Sequence, residues 1–238
     1  GIEHLQLGFL KMIKGTGVRK TANEHGYKYK DYPPYEVLYN NYISYSQILK
    51  LKDIEEILGI YVPYIKDSTI TFEYEVPSLE EFEDRMENIQ SIYPWFVCEF
   101  DNKIVGYAYA SKFNERAAYD WSVDFSIYIS PEYQRRNIGK ALYDALLKTL
   151  KIQGFCNAYA LITSPNIKSE SIHRSLGFKE IGVCKNVGYK MGEWHDVKWF
   201  ELEFAKHDAK PYKPKTIDEI KETKEFIEIL EEAKQIIK

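Results

Sequence analysis

Cysteine is scarce in this chain: Cys98, Cys156 and Cys184 are the only three in 238 residues, with no C-x-x-C pair and no metal-ligand spacing to histidine. An odd, scattered set excludes a disulfide-stapled scaffold or a structural zinc site and points to buried thiols in a reducing compartment. No apolar run reaches the roughly 18 residues that span a bilayer, and no signal-peptide core is present, so a cytoplasmic location with no membrane partner is expected. Residue 1 is Gly rather than Met, which reads as a processed or expression-derived end. A basic excess is missing too: 32 Lys and Arg stand against 36 Asp and Glu, net −4. That balance removes the electrostatic footprint of a nucleic-acid binder. What remains is an ordinary 45% hydrophobic content, in a length ample for one substantial core.

The most informative stretch is AYDWSVDFSIYISPEYQRRNIGK, residues 118–140. It places a carboxylate, Asp124, at the start of an alternating strand, with Phe125, Ile127 and Ile129 against Ser126, Tyr128 and Ser130. A Pro-containing turn follows, then a glycine-bearing loop that opens a helix. That helix is amphipathic through Ala141, Leu142, Ala145, Leu146, Thr149 and Leu150 and stops at Gly154, a residue suited to a C-cap. Its unpaired first-turn amides, with those of Gln134 to Asn137, form a cradle for a phosphate or pyrophosphate. Arg135, Arg136 and Lys140 add positive charge at its mouth.

Around this segment the pattern predicts a strand at 45–51 and a helix from Asp53, with Glu56 completing a capping box. A short strand or extended arm follows at 69–75, and a helix through 82–92 is capped by Ser78 and Glu81. A hairpin turns at Asp101 and Asn102, and a strand at 123–130 precedes the Gly139 helix. A strand at 155–163, a helix at 169–176 ended by Gly177, and two closing strands at 179–187 and 196–204 complete the pattern. Helices and strands alternate without a pure βαβ repeat, so the expected class is α/β, a mixed sheet flanked by helices. Residues 1–43 read as an irregular extension, 44–205 as the domain, and 206–238 as a Pro-containing linker and an amphipathic C-terminal helix. A single helix capped by Thr216 and Glu219 would present Ile220, Thr223, Ile227, Leu230, Ala233 and Ile237 to its own domain or to a second subunit.

The 118–140 segment resembles the GNAT superfamily of acetyl-coenzyme A dependent N-acetyltransferases, whose pyrophosphate loop reads Q/R-x-x-G-x-G/A. Within it the likeness is to the phosphinothricin N-acetyltransferase family. The matching residues are AYDW (118–121), SIYISP (126–131), QR (134–135), IG (138–139), LY (142–143) and QGF (153–155). Downstream come PN (165–166), Ser169, His173 with LGF (176–178), GYK (188–190) and WHDV (194–197), so the resemblance spans roughly residues 46–204. It implies a GNAT-like, mostly antiparallel central sheet with flanking helices. Asn137 stands where the family has glycine; asparagine is among the few other residues that tolerate a left-handed backbone.

The resemblance further implies acetyl-CoA as cosubstrate, no metal, a small-molecule amine as acceptor and a homodimer. It implies that the backbone at Ile127, Tyr128 and Ile129 pairs with the pantetheine arm and that Asn166 and Ser169 contact the cosubstrate. His173 falls where many members carry a tyrosine that protonates the leaving thiolate, a task open to a near-neutral imidazole. Asp124 aligns with a glutamate thought to act as base, one methylene longer. Because alkyl amines are mostly protonated at neutral pH, a nearby carboxylate can take the proton directly or through one water. Arg116 and Tyr119 align with acceptor contacts, and a guanidinium fork suits an amino-acid carboxylate. Phe72 matches an aromatic lining the acceptor site, while Asn114 replaces a family lysine. His195 reads as a fold-closing hydrogen-bond donor. The implied acceptor is an amino-acid-like amine of the phosphinothricin or methionine sulfoximine and sulfone type. The alternatives are a polyamine, an aminoglycoside or a protein amine, or a non-catalytic coenzyme A binding module.

Overall fold

The computed structural model describes residues 45–101 and 103–237 together with two short strands, β1 (Lys28–Tyr29) and β2 (Val37–Tyr39). The chain divides into two units, Gly1–Glu55 and Glu56–Lys238. Of the first, the described parts are the antiparallel β1–β2 pair and the opening of helix α1. The remainder of the expected irregular extension at 1–43 lies outside the described residues.

Helix α1 runs from Tyr45 to Lys66, so residues 45–51 are helical, which corrects the expected strand there. Asp53 lies inside that helix, and Ile54, Ile57 and Tyr61 follow it at helical spacing, so a residue that reads as an N-cap is an interior position. Glu56 accepts the backbone N–H of Ile104 at 2.9 Å instead of closing a capping box. The second expected box holds: Ser78 and Glu81 cap α2, Leu79–Gln90.

A six-stranded sheet follows, in the order β3-β4-β5-β6-β8-β7. Its strands are β3 (Trp95–Phe100), β4 (Lys103–Lys112), β5 (Ser122–Ile129), β6 (Asn157–Ser164), β7 (Lys179–Lys190) and β8 (Glu193–Glu203). Only the β5–β6 pairing is parallel, because only there does a helical crossover, α3 (Ile138–Gln153), join the two strands. The class is therefore α/β with a mostly antiparallel sheet, as expected. Gly154 ends α3 at φ 101° and Gly177 follows α4 (Ile167–Ser175) at φ 95°, both in the region where a Cβ is unfavourable.

One sheet face packs α3: Ala108, Ala110, Val123, Phe125, Ala158, Ala160 and Phe200 meet Leu142, Tyr143, Leu146 and Leu150. The other face is aromatic, with Trp95, Tyr107, Tyr109 and Tyr128 met by Tyr61 of α1 and Phe82 of α2. Strand β7 is an edge, and Cys184 on it is exposed, so only Cys98 and Cys156 are buried as the scarcity of cysteine suggested. Among the described residues no helix is long and apolar enough to cross a membrane.

The C-terminal segment folds back on its own domain. Lys215 exchanges backbone and side-chain bonds with Gln153, at 2.8 Å each way, and Trp121 donates its indole N–H to Tyr212 O at 2.8 Å. The expected single helix is two, α5 (Ile217–Ile220) and α6 (Lys224–Ile236). Thr223 caps a new start by accepting the N–H of Phe226. That break resets the helical phase, so the buried stripe is Ile220, Phe226, Ile229 and Ala233, while Ile227 is exposed. Ile229 and Ala233 pack on Ala145 of α3, with Phe96 and Ile152 beside them. Each such large apolar side chain contributes about 1.5–3 kcal/mol before ordering costs. Deleting residues 207–238 is expected to lower the melting temperature by several degrees. A truncated protein that melts at the wild-type temperature in calorimetry would assign the segment no packing role.

Candidate active site

The parallel pairing of β5 with β6 covers only Ser122, Val123 and Asp124 against Asn157, Ala158 and Tyr159. Beyond that row the strands part, β5 continuing to Ile129 and β6 to Ser164. Ser130 N–H donates to Val105 O at 2.9 Å, which fixes the alternation: the even residues of β5 bond to β4. The N–H and C=O of Ile127 and Ile129 therefore face the gap between β5 and β6. Such unpaired strand edges present main-chain donors and acceptors to an extended ligand. At Ile129 the Tyr64 hydroxyl takes both roles, donating to the carbonyl at 2.7 Å and accepting the N–H at 3.3 Å. Tyr64 was invisible as a site residue in the sequence; its spacing of three from Tyr61 on α1 is the one signal that both face the same sheet.

At the mouth of the gap, Arg135 and Asn137 have φ 66° and 64°. Asn137 thus adopts the left-handed conformation for which the family pattern uses glycine. Its side chain does not cap α3 but donates to Ile236 O of α6 at 3.3 Å. The first bond of α3 is Ala141 N–H to Asn137 O at 3.0 Å, which leaves the amides of Ile138, Gly139 and Lys140 outside the helical ladder. Gly139 is where the helix seats: a Cβ there would lie 2.9 Å from Ile172 Cδ1 and 3.2 Å from Ile129 Cδ1. One position therefore brings together the loop, β5 and α4. Arg136 lies over the Phe100 and Tyr133 rings, 5.6 and 5.3 Å from their centroids, so its charge is held aside by the aromatic faces. Arg135 and Lys140 are exposed, and Gln134 accepts from Lys168 Nζ at 3.4 Å. Open amides, cationic side chains and a left-handed turn fit a pyrophosphate.

Asp124 occupies the last paired row of the splay, between Ser111 of β4 and Tyr159 of β6. Its side chain lies on the aromatic face, and Oδ1 is buried with no hydrogen-bond partner among the described residues. Burial pushes its carboxyl up to about 7. A carboxylate so placed is a proton acceptor poised near neutrality.

The other residues singled out by sequence fall in different settings. Asn166 caps α4, accepting the N–H of Ser169 at 3.1 Å, with its amide nitrogen still available beside the loop. His173 is buried at 3% exposure. Its Nδ1 donates to Ser169 O at 2.7 Å, and Nε2 accepts from the Tyr143 hydroxyl at 3.0 Å. Both ring nitrogens are occupied, and burial holds its pKa below the ordinary value, so the imidazole is neutral and has no free proton to offer in this arrangement. Phe72 lies across Gly188 of β7, where no larger residue would fit, with its ring 6.3 Å from that of His195. His195 Nε2 donates to Lys190 O at 2.9 Å, a fold-closing bond of the expected kind. Arg116 and Tyr119 are exposed on the turn before β5, Tyr119 edge-on to Phe113 at 5.7 Å. The structure thus gathers Asp124, Ile127, Ile129, Asn137 and Gly139 along one gap, while Phe72 lies against β7 and Arg116 and Tyr119 lie on the turn before β5.

A parallel strand pair that splays at a carboxylate and opens onto an anion cradle can take an extended, phosphate-bearing cosubstrate beside a base. The family comparison agrees: residues 47–199 match the model of the acetyltransferase (GNAT) domain, and residues 23–70 match a family described as a protein of unknown function. The chain belongs to the GNAT acetyltransferases and is an acetyl-CoA dependent N-acetyltransferase. It is 38% identical over 152 residues to a phosphinothricin N-acetyltransferase of Streptomyces viridochromogenes, covering 64% of this chain and 83% of the relative. It is 30% identical over 117 residues to an L-methionine sulfoximine/L-methionine sulfone acetyltransferase of Salmonella typhimurium, covering 49% of this chain and 68% of that one. Among solved structures, a GNAT superfamily phosphinothricin acetyltransferase from Sinorhizobium meliloti in complex with acetyl-CoA superposes with a TM-score of 0.65. It shares 34% identity, over 68% of this chain and 89% of that one.

Proposed function

We propose that the protein acetylates the amine of a small amino acid of the phosphinothricin or methionine sulfoximine and sulfone type, by direct attack within a ternary complex. The observation that carries this reading is the buried Asp124 Oδ1, without a hydrogen-bond partner among the described residues, at the point where β5 and β6 part. The amine nitrogen attacks the thioester carbonyl carbon, the C–S bond breaks, and coenzyme A leaves as its thiolate. Asp124 takes the proton lost by nitrogen, directly or through one water. The amides of Ile138 to Lys140 and the side chains of Arg135 and Lys140 hold the pyrophosphate, and Asn166 and Ser169 contact the cosubstrate from α4. The open backbone of Ile127 lies along the pantetheine arm, with Tyr64 setting its far end at Ile129. His173, neutral, with its one proton donated to Ser169 O and its Nε2 accepting from Tyr143, holds α4 against α3; protonating the leaving thiolate would require a second proton on Nε2 in place of the Tyr143 bond. Phe72 and Tyr119 border the acceptor, and Arg116 takes its α-carboxylate. The exposed apolar edge of β7, with Ile181, Val183, Val187 and Tyr189, supports a homodimer, and the free thiols support action in the cytoplasm.

A screen of amino acids, their decarboxylated amines, polyamines and aminoglycosides, read by release of free thiol, tests the acceptor class. Arg116→Lys keeps the charge but loses the bidentate fork, so the KM for an amino acid is expected to rise by about an order of magnitude with unchanged acetyl-CoA affinity. Equal loss for carboxylate-bearing and decarboxylated amines would make Arg116 structural. Turnover confined to polyamines or aminoglycosides would overturn the amino-acid reading altogether.

A further inference from the structure

The aromatic face beside Asp124 carries a charged pair that the reaction above leaves unused. Trp95, Tyr109 and Ser126 form one cross-strand row on β3, β4 and β5, and Tyr107 pairs with Tyr128 in the next. Trp95 lies flat over both tyrosines, its ring 4.1 Å from Tyr109 and 5.4 Å from Tyr107. Phe82 stands edge-on to Trp95 at 6.3 Å, and Tyr61 edge-on to Tyr128 at 4.7 Å. At the rim of this layer Arg85 of α2 grips Glu73 of the 67–78 arm with two bonds, at 2.8 and 3.4 Å. Its guanidinium lies 6.0 Å from the Phe82 centroid, and Glu73 also accepts the Tyr61 hydroxyl at 2.9 Å.

Three features point this pair at a ligand. Its side chains are 37% and 35% exposed, and an ion pair that open to water adds little to stability, so the fold does not depend on it. Glu73 uses two of the five guanidinium N–H donors and fixes the plane of the rest. Trp95 Nε1, bordering the same Phe82 ring, is buried without an acceptor among the described residues. Among the described residues, then, a buried indole donor without an acceptor and an oriented guanidinium open to water share one aromatic face, and both suit an oxygen-bearing group. The neighbouring cation cannot answer the same need: Lys190 Nζ is committed to Ile65 O and Thr71 O, at 2.7 Å each. Asp124 lies one row on from Ser126, two residues or about 7 Å along β5, and Arg116 is on the turn that precedes β5. An amino acid whose amine meets Asp124 and whose carboxylate meets Arg116 would extend its side chain toward Arg85.

We propose that Arg85, oriented by Glu73, determines acceptor specificity by receiving a strongly polar oxo group, S=O, P=O or carboxylate, at the end of the acceptor's side chain. This rests on the amino-acid reading of the acceptor. Methionine, methionine sulfone, glutamate and phosphinothricin separate the cases, since sulfone differs from methionine only by two oxygens, and the other two carry a distal anion. Wild-type kcat/KM is expected to favour the sulfone over methionine by about ten-fold or more. In Arg85→Gln that preference should fall to about two-fold or less, chiefly through KM, with acetyl-CoA affinity by calorimetry unchanged. The double variant Arg85→Gln/Glu73→Gln should behave alike, which separates loss of the guanidinium from repulsion by a bare Glu73 carboxylate; Arg85→Lys should recover part of the preference. If either variant keeps the wild-type preference, or the wild type acetylates methionine and its oxo analogues equally, Arg85 has no specificity role while the amino-acid reading stands. If the wild type acetylates none of the four, both fall together.

Discussion

Asp124→Asn is expected to lower kcat by about a hundred-fold while acetyl-CoA affinity stays within about two-fold, because the amide keeps the side-chain volume and cannot accept a proton. The wild-type rate should fall as the pH drops below about 7, where burial places the carboxyl, since only the ionised form is a base. The variant should lack that limb. Stability should move the other way. A carboxyl whose folded pKa is raised binds its proton more tightly in the native state, so its contribution is favourable at low pH and is lost as pH rises toward the folded value. Above pH 7 the wild type carries a desolvated charge that asparagine lacks, and the variant should melt higher there. Turnover equal to wild type, or a pH limb that survives the substitution, would remove Asp124 as the base. A lower melting temperature at every pH would instead mark it as a structural residue.

The largest effect on cosubstrate binding is expected from Gly139→Glu, which should abolish measurable acetyl-CoA affinity. The side chain brings a negative charge to the amides of the first α3 turn and cannot be accommodated between Ile172 and Ile129 without displacing the helix. Gly139→Ala, adding only a methyl against the flexible ends of two isoleucines, should weaken binding and keep the fold by circular dichroism. Asn137→Gly should be tolerated, because φ 64° is open to both residues; the bond lost is the one to Ile236 O. Calorimetry showing intact coenzyme A binding by folded Gly139→Glu would put the cradle elsewhere.

Much of the candidate site's local frame was legible because its elements are local in the chain. Asp124, the alternation of β5, the left-handed turn at Asn137 and the seat at Gly139 all lie within residues 118–140, and their spacing follows from strand and helix periods. The cap at Ser78 and the stops at Gly154 and Gly177 were legible for the same reason, each being set by a few adjacent residues. The strand misread at 45–51 shows the limit of short windows: its alternation ended where the longer helical repeat continued. The C-terminal stripe failed similarly, since one cap at Thr223 shifted the phase of everything after it.

His173 shows where spacing ceases to inform. The family resemblance implied a proton donor at this position, but whether an imidazole is free depends on what else arrives beside it. Tyr143, thirty residues earlier, takes its Nε2, and burial keeps it neutral. The Arg85–Glu73 pair at the aromatic rim had no signal in the sequence, and Tyr64 at the Ile129 backbone had only its spacing from Tyr61, since these bonds join residues 12 and 65 apart. Periodicity determined which face each strand and helix buries, and with it the class of fold and the carboxylate-and-cradle pattern. Only tertiary packing decided which polar atoms meet across the sheet, because hydrogen bonding and desolvation act over a few ångströms between groups the chain keeps far apart.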